Sequence, residues 1–293
     1  RMEQSPGVCE VLQPSAPKER MTALENKCAI KMENITKRFG KVVANNAINM
    51  ELREGEILSL LGENGSGKTT LMNMLSGIYF PDEGQIYIHD KPVTIASPKD
   101  AFALGIGMIH QHFKLVDLFT ATENIILGLE GKLDLANARK KVQDICDKYG
   151  FDIDPDMKIY DMSVSQKQTV EIVKVLYRGA DILILDEPTA VLTPQETDKL
   201  FTVMRNMKAD GKSLIIITHK LHEVLDVSDR VAVLRKGEYI GDVLTKDADQ
   251  QSLTDMMVGR SVSLNINRPE PKNVTTRLKL EGCLLYTSPS PRD

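Results

Sequence analysis

The sequence predicts an α/β fold with a parallel sheet, an antiparallel β portion and a helical portion. Three patterns carry this. Polar and apolar residues alternate before residue 53, helical patterning dominates residues 98–178, and short apolar runs alternate with amphipathic stretches thereafter. In order, residues 30–35 and 42–52 alternate on either side of Phe39-Gly40, which predicts antiparallel strands. Residues 56–61 form a short apolar strand running into glycines. Residues 68–76 then read as a helix closed by Gly77. Residues 85–89 alternate again. Residues 98–178 read as mostly helical, broken at Gly105, Gly128 and Gly150. Residues 182–185 form a buried strand. Thr193 then caps a helix, with Pro194 at its first position and Glu196 closing the box. Leu200, Val203, Met204 and Met207 mark one face of that helix at i, i+3, i+4, i+7. Residues 213–218 form the next buried strand, and 231–234 with 238–243 a hairpin about Lys236-Gly237.

The 293 residues are 42% hydrophobic and 27% charged, ample for a sizeable core. The net charge is −4 and the isoelectric point about 5.8. Neutralising a phosphate backbone needs a concentrated positive field, so no nucleic-acid partner is expected. Mean hydropathy is −0.21, and no run approaches the roughly 18 apolar residues of a membrane span. No apolar leader precedes a cleavage site, so secretion is not expected. Cys9, Cys28, Cys146 and Cys283 form no CxxC pair. Neither a zinc site nor a disulfide framework is indicated, which suits a reducing compartment.

The two ends read differently from the rest. Residues 1–29 are expected to be a disordered leader, or upstream sequence translated before a start at Met2, Met21 or Met32. Residues 283–293, CLLYTSPSPRD, resemble the translation of a transposon-type sequencing adapter, against the alternative of a native Pro/Ser tail. On the adapter reading, the native sequence is interrupted after Gly282.

Gly62-Glu63-Asn64-Gly65-Ser66-Gly67-Lys68-Thr69 fits GxxxxGK(S/T). Glycines let backbone N–H groups turn inward around phosphate oxygens, and the helix starting near Lys68 points its positive end at the same anion. Lys68 supplies a point charge for the β- and γ-phosphates, and the Thr69 hydroxyl can ligate Mg²⁺. A structural Gly-rich turn is the plain alternative, which the strand before and the helix after argue against.

The strand at 182–185 ends in Asp186 and Glu187. Ligands of open α/β sheets bind at the carboxyl ends of strands, so Asp186 is expected near Mg²⁺ and Glu187 beside an attacking water. A single acid here would more simply be a helix cap. The strand at 213–218 delivers His219 to the same edge. Taken alone it reads as an ordinary packed or exposed histidine. Beside the other motifs it is a candidate γ-phosphate contact.

With these motifs in place, the chain resembles an ABC transporter ATPase subunit over about residues 30–266, with a P-loop NTPase core and a helical subdomain near 98–178. The resemblance implies that Phe39 stacks on adenine and that ATP is held by residues 62–69 and Thr70. It makes Gln111, in Met108-Ile109-His110-Gln111, the glutamine that joins Thr69 and Asp186 at Mg²⁺ and couples to the membrane domain. It makes Glu187 and His219 catalytic. Ser163, Val164, Ser165 and Gln166 occupy the signature segment, which acts on a partner cassette. Two places depart from the family pattern. The signature is usually LSGGQ, and Val164 and Ser165 stand where both glycines would be. Side chains there put close approach to phosphate in doubt, and Ser163-x-x-Gln166 also reads as a plain capping box. Thr193 stands where the family usually has Asp.

The resemblance narrows further. Glycine-poor signatures occur in importers of simple sugars and nucleosides, and His110-Gln111-His112-Phe113-Lys114-Leu115-Val116-Asp117 looks like the nucleoside branch. Members carry two cassettes in one chain. Leu278-Lys279-Leu280-Glu281-Gly282 looks like the start of the second, after a linker, within residues 267–282. The resemblance therefore implies ATP and Mg²⁺, a second cassette in cis or a homodimer, transmembrane permease subunits and, indirectly, an extracytoplasmic binding protein. It places the chain peripherally on the cytoplasmic face of the membrane. Two other expectations compete: a soluble ABC-type ATPase of translation or DNA repair, and a nucleotide-dependent docking module that does not hydrolyse.

Overall fold

Two sheets share one apolar core in the computed structural model of the chain, which describes residues 27–129, 131 and 134–260, all within one compact unit. Of the leader expected over residues 1–29, residues 1–26 lie outside the described residues, while Cys28 and the buried Ala29 belong to the first strand; the expected linker, start of a second cassette and adapter-like tail also lie outside the described residues.

The alternation before residue 53 becomes strands β1 (Cys28–Phe39) and β2 (Val42–Arg53), paired antiparallel. Their inward side chains, Ile30, Met32, Ile35, Ile48, Met50 and Leu52, are buried, and their outward ones are mostly exposed. Strand β3 (Ile57–Leu61) leads through the glycine loop into helix α1 (Lys68–Leu75). Strands β4 (Glu83–Ile88) and β5 (Lys91–Val93) complete the first sheet in the order β2-β1-β4-β5.

Helix α2 (Pro98–Ala103) precedes strand β6 (Ile106–Ile109). This strand corrects the expectation of a mostly helical 98–178. Four residues interrupted by Gly107 give too short an apolar run to announce a strand. Helices α3 (Ala121–Ile126), α4 (Leu135–Tyr149) and α5 (Val164–Tyr177) make up the helical part. It closes on its own cluster, including Ile125, Val142, Cys146, Ile159, Val170 and Val173.

Strand β7 (Ile182–Asp186), helix α6 (Pro194–Ala209), strand β8 (Ser213–Thr218), helix α7 (Leu221–Val227), the hairpin β9 (Arg230–Arg235) and β10 (Glu238–Leu244), and helix α8 (Gln250–Val258) follow. The second sheet runs β10-β9-β3-β8-β7-β6, parallel except for the hairpin. The hairpin turns through Lys236 (φ 51°) and Gly237 (φ 80°), both left-handed, as a two-residue turn requires. Thr193, Pro194 and Glu196 cap α6 as expected.

The parallel strands are buried on both faces. Leu58, Leu60, Ile182, Ile184, Ile215 and Ile217 pack toward α1 and the first sheet. Leu183, Leu185, Leu214 and Ile216 pack toward α5 and α6. Covering on both faces explains why these strands read as continuous apolar runs while β1 and β2 alternate.

Candidate functional site

Three neighbouring strands end at one edge. Leu61 pairs with Thr218, and Ile217 pairs with Asp186, so β3, β8 and β7 finish side by side. Each is followed at once by a motif: the glycine loop, Asp186-Glu187, and His219. Strand register thus brings together residues more than 150 positions apart in sequence.

The glycine loop is tightly surrounded. A Cβ on Gly62 would stand 2.3 Å from the Leu234 carbonyl oxygen, and one on Gly67 (φ 96°) 2.4 Å from that of Ala44. Neither position admits a side chain. Lys68 is buried and its ammonium turns back into the loop, donating to the Gly62 carbonyl (2.7 Å), the Glu63 carbonyl (2.9 Å) and Ser66 Oγ (3.5 Å). Burial holds the Lys68 pKa below its ordinary value, opposed by the carboxylates of Glu187 and Asp186.

Asp186 is 8% exposed. Burial, then the charge of Glu187, pushes its pKa up. A hydrogen bond from Thr69 and the charge of Lys68 oppose the rise. Glu187 follows in the left-handed region (φ 47°), with its N–H bonded to Ile217 O at 2.9 Å. Such a conformation in a non-glycine residue costs about 1–3 kcal/mol and persists where the surroundings impose it. It aims the carboxylate between two partners: Oε1 lies 3.0 Å from His219 Nδ1, and Oε2 accepts from Gln111 Nε2 at 3.5 Å. A pocket of about 690 Å³ joins Asn64, Gly65, Ser66, Gly67, Lys68, Thr69 and Thr70 to Gln111, Asp186 and Glu187. Its chemistry is two lysines, two carboxylates, three hydroxyls and two side-chain amides beside a helix N-terminus.

Other expected residues stand apart. Phe39 is exposed, its ring edge-on to Tyr79 at 5.2 Å, and is absent from the pocket lining, where Val42, Val43 and Ala44 stand. Ser163 caps α5 in a reciprocal box with Gln166 (3.2 and 3.0 Å), and Val164 is exposed. Ser163, Ser165 and Gln166 line a separate crevice of about 610 Å³ against α6, floored by Phe151, Leu192, Leu200 and Val203.

Five supporting residues escaped the sequence reading. Asn45, fully buried on β2, donates to Gly67 O at 3.2 Å and braces the loop. The phase of Ile48, Met50 and Leu52 puts Asn45 on the outward side of β2, and the left-handed Ala47 (φ 47°) turns it inward, so alternation gives no signal for it. Gln168 donates to Pro188 O at 2.6 Å from within α5. Thr189 and Lys220 both bond the buried Glu223, tying the turn after Glu187 to the helix after His219. These contacts join distant segments, and no local pattern announces them.

A family model described as ABC transporter matches residues 44–190, from β2 through the turn after Glu187. The chain belongs to the ABC transporter family. The Nucleoside import ATP-binding protein NupA of Lactococcus lactis subsp. cremoris is 52% identical over 262 residues, covering 87% of this chain and 52% of that protein. The Ribose import ATP-binding protein RbsA 1 of Burkholderia thailandensis is 45% identical over 236 residues, covering 79% of this chain and 47% of that protein. The cassette therefore spans about half the length of the curated relatives it matches. Among solved structures, cbiO1 of Clostridium perfringens, part of the ABC transporter complex cbiONQ, is 30% identical with a TM-score of 0.68 over 76% of this chain and 90% of that one. The fold is that of an ABC ATPase cassette. Among the described residues, no helix is long and apolar enough to cross a membrane.

Proposed function

We propose that this cassette binds and hydrolyses ATP to drive an importer of nucleosides or simple sugars. The observation that carries the reading is Glu187, held from both sides by His219 and Gln111 over the pocket that contains Lys68 and Asp186. Lys68 exchanges its bonds to the Gly62 and Glu63 carbonyls for phosphate oxygens, while the loop N–H groups and Ser66, Thr69 and Thr70 surround the same anion. Glu187 orients the attacking water and accepts its proton. Its bond to His219 holds the carboxylate in place, and the other ring nitrogen of His219 reaches the γ-phosphate. Phosphoryl transfer asks for such positioning and charge neutralisation more than for covalent chemistry.

Mg²⁺ fits the donor set. A carboxylate and a hydroxyl in mutual contact, Asp186 and Thr69, with the amide oxygen of Gln111 nearby, are hard oxygen ligands of the kind this ion takes alongside substrate phosphates. When bound, it neutralises charge on the phosphate oxygens. Asp186, desolvated and beside Glu187, gains most from such a cation.

The remaining parts rest on the family. Phe39 stacks on adenine. Ser163, Val164, Ser165 and Gln166 face the nucleotide of a second cassette, in cis or in a homodimer, with Val164 and Ser165 limiting how closely backbone approaches phosphate. Permease subunits place the cassette peripherally on the cytoplasmic face of the membrane. The higher identity to the nucleoside import protein than to the ribose import protein favours nucleosides. The test is Glu187→Gln. Phosphate release should fall by about 10²–10⁴-fold, the usual worth of a general base, with ATP affinity retained. Turnover near the unmodified rate overturns the reading.

A further inference from the structure

Four charged side chains line the pocket of about 690 Å³: Lys68, Asp186, Glu187 and Lys236. The first three have tasks at the phosphates, the cation and the water. Lys236 has none so far. It is exposed, and its side chain makes no hydrogen bond or ion pair among the described residues. It opens the turn between β9 and β10 with a left-handed backbone (φ 51°), followed by Gly237 (φ 80°). Such turns favour Asn, Asp or Gly at the first position, and lysine is none of these. Departures of this kind cluster at ligand sites. The turn itself is fixed in place. Gly237 N–H donates to Ser66 O at 3.1 Å, and Gly237 O accepts from the Asn46 N–H at 2.8 Å. A Cβ on Gly237 would stand 2.7 Å from the Ala44 carbonyl oxygen. The turn cannot swing away from the pocket without breaking its bonds to the glycine loop and to β2.

We infer that Lys236 binds the α-phosphate of the nucleotide, at the end of the phosphate chain away from the bond that breaks. The inference rests on the ATP reading above. Strand order sets the position. β9 and β8 flank β3 on opposite sides, and β7 lies beyond β8. Asp186, Glu187 and Gln111 therefore mark one end of the pocket. The Lys236-Gly237 turn stands across the glycine loop from them, against the carbonyls of Val43 and Ala44. Charge sets the chemistry. Two carboxylates against Lys68 leave the lining net negative, and Lys236 brings it to zero. A cation on this flank meets the phosphate nearest the ribose, which ATP, ADP and AMP all carry. It touches that phosphate equally before and during hydrolysis, so it sets affinity rather than rate.

The test compares the full-length protein with Lys236→Asn at low salt, titrated with ATP and ADP and with AMP as a competitor. Asparagine suits the left-handed turn, so the melting temperature without nucleotide should hold or rise. Affinity for all three nucleotides should fall together, by about two- to fivefold, the worth of an exposed ion pair. The loss should fade toward roughly 1 M salt, where charges are screened within about 3 Å. KM for ATP should rise by the same factor while kcat stays within about twofold. Lys236→Arg should bind as the unmodified protein does. Unchanged affinities in Lys236→Asn overturn the inference. So does a loss confined to ATP, which puts the contact at the γ-phosphate, or one shared by ATP and ADP but not AMP, which puts it at the β-phosphate. A loss indifferent to salt, or a lower kcat at unchanged KM, overturns it too. Should Lys236→Asn fail to fold, Lys236→Gln against Lys236→Arg decides by the same titrations. An unmodified protein that binds neither ATP nor ADP refutes the ATP reading instead.

Discussion

Replacing Gly107 with alanine tests the packing that sets the helical part against the sheet. A Cβ at this position of β6 would stand 2.0 Å from Val175 Cγ1 and 3.2 Å from Ala180 Cβ. Carbon atoms rest at about 3.5–4.0 Å, so the Val175 methyl must retreat by roughly 1.5 Å. Val175 is 3% exposed and sits in close-packed surroundings on α5, which leaves the helix itself to move. Overpacking of this kind costs about 1–3 kcal/mol. Val175→Ala alone removes two buried methyl groups, about 1.6 kcal/mol at 0.8 each before any cavity effect. In the double variant the new methyl enters the space that Cγ1 leaves. The two costs should then fall short of their sum by about 1–2 kcal/mol. Urea midpoints of the four proteins of this cycle supply the measurement. Additivity within about 0.5 kcal/mol, as for distant sites, would refute the reasoning. Because β6 leads to Gln111 and α5 begins at Ser163–Gln166, proposed above to face the nucleotide of a second cassette, Gly107→Ala should also lower turnover more than ATP affinity.

Asp186→Asn should raise the melting temperature of the nucleotide-free protein at pH 8. The native pKa of Asp186 is raised, so its stabilising contribution is present below the unfolded value near 3.9 and lost as pH rises through the native one. The advantage of the variant should therefore vanish toward pH 4, and a gap independent of pH would contradict the assigned cause. Arg230, 5% exposed, donates to both Glu56 oxygens (2.7 and 2.9 Å) and to Asp242 (2.8 Å). Arg230→Met leaves Glu56 a buried, uncompensated charge and should cost about 3–5 kcal/mol in chemical denaturation. A loss below about 1 kcal/mol would mean that Glu56 finds another partner.

Much of this molecule was legible before any coordinates. Glycine spacing announced the tight loop between β3 and α1 because only glycine fits at Gly62 and Gly67. The apolar runs ending in Asp186 and preceding His219 announced buried parallel strands, since strands covered on both faces have no polar phase. The cap of α6 was visible because capping is local, a matter of residues three apart. By the same logic β6 was missed. Its identity depends on pairing with β7 and on α5 pressing against Gly107, and neither is a property of four residues.

Residue types and local spacing thus determined the chemistry available: a cation in a glycine loop, paired carboxylates, a histidine, each at the end of a strand. Their distances came from elsewhere. Strand register set Asp186 beside Ile217, the left-handed backbone at Glu187 turned its carboxylate toward His219 and Gln111, and the buried bonds of Asn45, Gln168 and Glu223 hold that arrangement. Such contacts join segments far apart along the chain, so their geometry exists only once the core has closed around them.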